Sequence, residues 1–357
     1  MPGDMPALVL SNSLGTTAAM WAPQLPVLRQ RFRVIQYEHP GADTIDGLAD
    51  HVVSLLDHQG VGRAFFVGLS LGGMVGMNLA ARYPDRVDRL VLACTTAHLP
   101  PPEGWAERAA GVRAKGTAPL LPTLLERWFT TDFVHRRPDV AQQLEAMLAA
   151  TDPENYAACC QAIGAMDQWR LLSSITAPTL VIAGAADPVT PPASALALHQ
   201  AIAGSSLAVL ADAAHLANLE QPDAFTTAVL DHLIGTAAER GRRTRREVLG
   251  DEHVDRSEAR ATPFTEPFAD LITRYAWGDI WTRPGLDRRT RSCITLAMLA
   301  ALGRSDELVL HVRAARRNGL TNDEIGEVLL QCAVYAGVPA ANTAFAIAQR
   351  TLAELDQ

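Results

Sequence analysis

The stretch AFFVGLSLGGMVGMNLAARYP, residues 64–84, passes from a short apolar block through a glycine-flanked serine straight into helical periodicity. A chain that changes from strand to helix in so few residues is committed to a layered α/β fold. The strand must lie inside a sheet and the helix must cross its face. Gly68, Ser70 and Gly72 form a G-x-S-x-G pattern. The glycines allow a sharp turn that lifts the serine hydroxyl above the sheet edge. By itself the pattern is a weak signal, because a serine in a tight turn is often no more than a hydroxyl.

The surrounding sequence repeats the alternation. ALVLSN, FRVIQYE, VDRLVLAC and TLVIAGA read as strands, and the last two are continuous apolar runs of the kind a parallel sheet buries on both faces. Residues 44–60 carry Leu48, Val52, Val53, Leu55 and Leu56 at helical spacing, with Gly60 as the stop. The helix after Ser70 ends before Pro84. Together these predict a doubly wound α/β sheet. From about 98 to 172 no strand is evident, and stretches such as PLLPTLLERWF and VAQQLEAMLAA read as helices, which predicts a helical cap inserted into the sheet domain. The alternation resumes and ends at DAFTTAVLDHLIG, closed by Gly235.

Beyond that point the character changes. TAAERGRRTRREVLGDEHVDRSEARATP is polar and dense in both charge signs, and reads as part linker and part solvated helix. From about 264 only helical periodicity remains. A 357-residue chain suits two domains. The boundary is placed near 235–245, giving an α/β domain over 1–235 and a linker with an all-α domain over 236–357. No internal repeat is evident.

Composition narrows the function classes. Apolar residues make up 48% and charged residues 20%, with a net charge of −8. That balance argues against nucleic acid and anionic membrane as partners. The opening MPGDMPALVL lacks the basic and long apolar regions of a secretory leader, and no apolar run is long enough to span a bilayer. Five cysteines, Cys94, Cys159, Cys160, Cys293 and Cys332, include no C-x-x-C. No disulfide framework, structural zinc or other metal is expected, and a reducing cytoplasm is the simplest setting.

Serine is a weak nucleophile without a base and an orienting acid. In this fold class the chain order is serine, acid, histidine. AGAADPVTPP places Asp187 after an apolar strand, and LADAAHLANLEQP places His215 before the last helix. The expected roles are proton acceptor for His215 and orienting carboxylate for Asp187. Asp212 is a rival acid, only three residues before the histidine. An oxyanion needs two backbone donors; Leu71, next to the serine, and Leu14, in the loop after the first strand, are the candidates. His39 and Cys94 read as a loop residue and core packing.

The second segment has its own pair. Glu307 and His311 stand four apart, so a helix brings them to one face. Arg288, Arg289 and Arg291 precede an apolar helix and are placed to receive carboxylates. Spacing alone favours a surface pair of Glu307 and His311 over a site.

The stretches LSNSLGTTAAMW, GLSLGGMVGMNLAARYPDRV, GAADPVTPP and AAHLANLEQP resemble the 3-oxoadipate enol-lactonases of the α/β-hydrolase superfamily over residues 6–235. The S-N-S-L-G loop is the more specific part, since most relatives carry His-Gly there. The resemblance implies lactone hydrolysis through Ser70, Asp187 and His215, with a cation in the cap for the substrate carboxylate; Arg127 and Arg170 are the candidates.

RREVLGDEHVDRS, YAWGDIWTRPGLDRRTRS, ELVLHVRAARRNGLTNDEI and AVYAGVPAANTAF are similar to γ-carboxymuconolactone decarboxylases, all-helical relatives of the alkylhydroperoxidase D-like proteins. Those peroxidases carry C-x-x-C where Arg304 and Glu307 stand here, which excludes thiol peroxidase chemistry. Cys332 lies where a histidine is familiar in the family. The resemblance implies cofactor-free decarboxylation, His311 as proton donor with Glu307 sharing or tuning it, Arg288 and Arg291 toward substrate carboxylates, and homo-oligomerisation through the helical domain. The combined expectation is a bifunctional enzyme of the protocatechuate branch of the β-ketoadipate pathway. The alternative is another lactonase or carboxylesterase with a non-catalytic helical oligomerisation domain.

Overall fold

The structure, a computed structural model, describes residues 5–283 and 285–355. The first four residues of the amino-terminal stretch weighed above as a leader lie outside them. The chain divides into two compact units, Met1–Leu233 and Ile234–Gln357.

The first unit is built on a six-stranded parallel sheet of β1 (Ala7–Ser11), β2 (Arg33–Gln36), β3 (Ala64–Leu69), β4 (Val87–Ala93), β5 (Thr179–Gly184) and β6 (Ser206–Leu210). Its spatial order is β2-β1-β3-β4-β5-β6. The chain steps outward from β1 to β2, then returns to place β3 on the other side of β1. Ligands bind at such a reversal, at the carboxyl ends of the strands. There Ser11 pairs with Gly68, so the loop after β1 and the turn after β3 emerge side by side.

β5 is buried along its whole length, as its continuous apolar run requires. Helix α1 (Ile45–His58) begins at Thr44, whose hydroxyl accepts from Gly47 N, and packs Leu48, Val52 and Leu56 inward. Helix α2 (Leu71–Arg82) follows Ser70 directly. Between β4 and β5 the described chain forms helices α3 (Pro102–Lys115), α4 (Leu121–Trp128), α5 (Thr131–Arg136), α6 (Asp139–Ala150) and α7 (Pro153–Ala165). After β5 come α8 (Pro192–Ala201), then β6, then α9 (Pro222–Ile234). The sequence had not marked β6. It is the sheet edge, so its short apolar run, Leu207–Leu210, is half exposed instead of buried on both faces like those of its neighbours.

In the second unit the polar stretch after Gly235 corrects the expectation of a linker there, while its later helix, Asp251–Ala259, is largely solvated as expected. Helix α10 (Ala237–Leu249) starts at once, on a capping box between Thr236 and Glu239. Thr244 and Val248 are buried, and Arg240, 7% exposed, donates to Gly235 O at 2.5 Å. Arg240 shares the packed face with Thr244 and Val248, while Arg242, Arg243 and Glu247 are exposed on the other. Helices α11 (Asp251–Ala259), α12 (Glu266–Ile272), α13 (Arg288–Ala301), α14 (Ser305–Arg317), α15 (Asn322–Ala336) and α16 (Val338–Leu355) complete the unit, with a π-helix at Thr273–Ile280. Leu296, Leu308, Val312, Leu329, Ala344 and Ile347 form its main core.

Candidate active site

The turn after β3 is as tight as its sequence demands. Ser70 sits at φ 55°, a left-handed conformation rare for a side-chain-bearing residue. A Cβ on Gly68 would come within 2.1 Å of Gly72 O, and one on Gly72 within 2.1 Å of Ser11 O. Only glycine fits at these positions. The strained backbone is held by Ser70 N donating to Ala93 O at 2.9 Å and by Thr95 Oγ1 donating to Ser70 O at 2.8 Å.

Ser70 Oγ lies 2.9 Å from His215 Nε2, and His215 Nδ1 lies 2.8 Å from Asp187 Oδ2. Asp187 also accepts from Val189 N at 2.7 Å, Thr190 N at 3.0 Å and Thr190 Oγ1 at 2.8 Å. Burial raises the Asp187 carboxyl, but the neighbouring His215 and the bonds from Thr190 outweigh it and leave the group below the usual carboxylate range. Asp187 is 3% and His215 1% exposed, so water does not compete for the pair. Asp212, the rival acid, is exposed.

The loop after β1 borders the same cavity. Asn12, fully buried, donates to Tyr37 O and Glu38 Oε2, each at 3.1 Å, and accepts from Trp21 Nε1 at 2.9 Å. Its carbonyl accepts from Gly72 N at 3.0 Å, which ties this loop to the nucleophile turn. Ser13 N donates to Met20 Sδ. Among the described residues no hydrogen bond is found for the backbone N–H of Leu14 or of Leu71.

A cavity of about 280 Å³ opens over Ser70 and His215. Leu14, Met74, Trp105 and Trp128 line its apolar wall, with Arg108 and Arg127 as cations. Arg170, in the turn Trp169–Ser174, is exposed and is not among the residues lining this cavity.

Two contributors escaped the sequence reading. Arg108 is one. The other is Glu220, a buried carboxylate that accepts from Thr130 N at 2.7 Å, Thr130 Oγ1 at 2.8 Å and Ala214 N. It fastens the residue before His215 to the turn between α4 and α5. Nothing in ANLEQP sets this glutamate apart from a solvated one.

In the second unit α14 carries Glu307, exposed, and His311, half-buried. Among the described residues no hydrogen bond joins them. Burial, then the nearby His253, hold His311 down at about 4, with Glu307 acting the other way. His253, on α11, was not singled out from sequence. Arg288 pairs with Glu247, and Arg289 with Glu324 and Gly319 O. Arg291 donates to Arg283 O at 2.8 Å while its buried Nε has no partner. A cleft of about 160 Å³ beside Leu308 and Ala344 includes neither Glu307 nor His311.

A strained serine, a histidine and a carboxylate hydrogen-bonded in series at the carboxyl edge of a parallel sheet define a hydrolase of the nucleophilic type. The alpha/beta hydrolase fold family model matches residues 6–222, and the Carboxymuconolactone decarboxylase family model matches residues 266–350. The chain belongs to the alpha/beta hydrolase fold family and carries, after that domain, a domain of the carboxymuconolactone decarboxylase family. It is 40% identical over 235 residues to 3-oxoadipate enol-lactonase 2 of Acinetobacter baylyi, covering 63% of this chain and 88% of the relative. It is 49% identical over 115 residues to 4-carboxymuconolactone decarboxylase of the same organism, covering 32% of this chain and 86% of the relative. The crystal structure of the enol-lactonase from Burkholderia xenovorans LB400 superposes with a TM-score of 0.63 at 42% identity, over 65% of this chain and 92% of that one.

Proposed function

We propose that this chain catalyses two consecutive reactions. The decarboxylase half, residues 236–357, converts γ-carboxymuconolactone to 3-oxoadipate enol-lactone. The hydrolase half, residues 1–235, opens that product to 3-oxoadipate. The observation that carries this reading is the pairing itself: the two regions of one chain resemble enzymes whose named substrates are joined by a single intermediate.

In the hydrolase half, His215 takes the Ser70 proton as Oγ attacks the lactone carbonyl, and Asp187 stabilises the charged imidazole. The N–H groups of Leu14 and Leu71 receive the oxyanion. The ring C–O bond breaks as protonated His215 returns its proton to the departing enolate, whose enol tautomerises to the ketone, so departure is easy and His215 is neutral again. His215 then activates the water that frees the acyl group from Ser70.

In the decarboxylase half the carboxylate leaves as CO2, and its electron pair spreads through the adjacent C=C bond into the lactone carbonyl. His311 returns a proton to carbon, with Glu307 sharing it. With its pKa near 4, His311 is neutral at pH 7 in the free chain. A substrate carboxylate bound beside it favours the charged, donating form.

No cofactor is required by either step. The free, mostly buried thiols suit a reducing cytoplasm. Ile294, Met298, Val334 and Tyr335 expose large apolar side chains on α13 and α15, and Leu302 does so just past α13, which supports a homo-oligomer formed through the helical unit. Purified protein incubated with γ-carboxymuconolactone, without added metal or cofactor, is expected to release CO2 and yield 3-oxoadipate. Hydrolysis of supplied enol-lactone without any CO2 release from the earlier compound would instead favour a lactonase with a non-catalytic helical domain.

A further inference from the structure

The hydrolase cavity contains a cation that no carboxylate of the described chain answers. Arg108 on α3 lines it together with Ser70 and His215. Its guanidinium lies over the Trp105 ring at 5.4 Å and the Tyr156 ring at 5.5 Å, and its buried Nε has no hydrogen-bond partner. Arg113, further along the same helix, shows the usual alternative, a fork onto Glu154 through Nε at 2.9 Å and Nη2 at 2.6 Å. A half-buried guanidinium without a counter-charge is costly, and aromatic faces recover only part of that cost. Such a group is retained where a ligand supplies the missing anion.

Its position is fixed relative to the chemistry. Tyr156 on α7 is 1% exposed. Its ring also abuts the loop after β1, where a Cβ on Gly15 would approach it within 2.8 Å. The ring therefore sits between Arg108 and the loop that carries Leu14. Trp105 is anchored by Nε1 donating to Leu99 O at 2.9 Å. The fork is pre-organised against both rings and faces a cavity of ligand size.

We propose that Arg108 receives a carboxylate carried by the substrate and so selects anionic lactones over neutral esters. The assignment rests on the lactone reading of this site. Arg127 lines the same cavity but is exposed, where water and salt screen its charge.

The test uses the full chain and two substrates, 3-oxoadipate enol-lactone and the neutral ester p-nitrophenyl acetate, with adipate as a competitive inhibitor of the ester reaction. Arg108→Gln should raise KM for the enol-lactone about 10- to 100-fold, the range for a lost charge-assisted hydrogen-bond pair. It should weaken adipate inhibition similarly and leave ester turnover within about threefold. Arg108→Lys should restore part of the enol-lactone KM, and Arg127→Gln should change it less than Arg108→Gln. An equal fall on both substrates, with adipate inhibition unchanged, would make Arg108 a packing residue and overturn the proposal. An unchanged enol-lactone KM would do the same. Should wild-type protein cleave the ester but not the enol-lactone, the lactonase reading falls, while adipate inhibition still decides whether Arg108 binds a carboxylate.

Discussion

Ser70 tolerates a positive φ only because Gly68 and Gly72 let strand, turn and helix approach so closely. That local necessity made the serine legible from its own pentapeptide, and Asp187 and His215 were legible because each follows a recognisable strand or precedes a recognisable helix. Ser70→Ala is expected to lower enol-lactone hydrolysis by about 10⁴-fold or more. Asp187→Asn should be severe and Asp212→Asn mild, and a fluorescence or absorbance assay of all three variants that reversed the last two would mean the acid is Asp212. Arg108 and Glu220 were not legible. Their significance comes from contacts with Tyr156 and Thr130, remote in sequence, and neither local pattern differs from a surface residue. His311 carries a separate prediction. Its folded-state pKa of about 4 lies below the value near 6.5 of an unfolded histidine. Between those values the unfolded chain binds the extra proton, so native stability falls as pH drops from about 6.5 toward about 4. His39 and His253 shift in the same direction, so the informative quantity is a difference. Denaturant titrations across this window should show a shallower acid loss for His311→Gln than for wild type; parallel curves would remove His311 from the acid response.

Among the elements, β5 and the loop between β6 and α9 show how strand ends place chemistry. Gly184 closes β5, three residues before Asp187, and a Cβ there would lie 2.1 Å from Ala214 O and 2.6 Å from Ala213 O. Gly184→Ala must push the acid-bearing strand end from the histidine-bearing loop. A displacement of this order in a reacting group is worth about 10² in rate. Hydrolysis should fall by at least that factor with the circular dichroism spectrum unchanged; full activity would mean the loop yields without moving His215. The same scale explains what the sequence hid. Central strands are buried on both faces, whereas β6 is an edge whose short apolar run, Leu207–Leu210, stays half exposed. Helix α10 was hidden for the opposite reason: its packed face is narrow and its charged face dominates the composition, although Thr236 and Glu239 had already spelled a capping box.

At the scale of the whole molecule, the groups proposed for the two reactions stand on structurally unrelated scaffolds, one set on strand ends and one on a helix face. The exposed apolar side chains concentrate in the second unit, with Val334 at 75% and Tyr335 at 82% exposure. Tyr335→Glu should therefore shift the protein toward monomer by light scattering, and an unaltered mass would place any self-association elsewhere. Separate scaffolds also require separable activities. Ser70→Ala protein given γ-carboxymuconolactone should release CO2 and accumulate the enol-lactone, because Ser70 and the proposed proton donor belong to different units. His311→Ala protein should leave that substrate largely untouched and still hydrolyse enol-lactone supplied directly. Loss of a general acid is worth about 10²–10⁴ in rate, and Glu307, one turn away, can cover part of it. Chromatography of both compounds with CO2 measured in parallel reads each half independently. CO2 release at the wild-type rate from His311→Ala would assign the proton to another group. Loss of CO2 release from folded Ser70→Ala would mean the decarboxylation itself depends on the hydrolase serine, and the two-site division would fail.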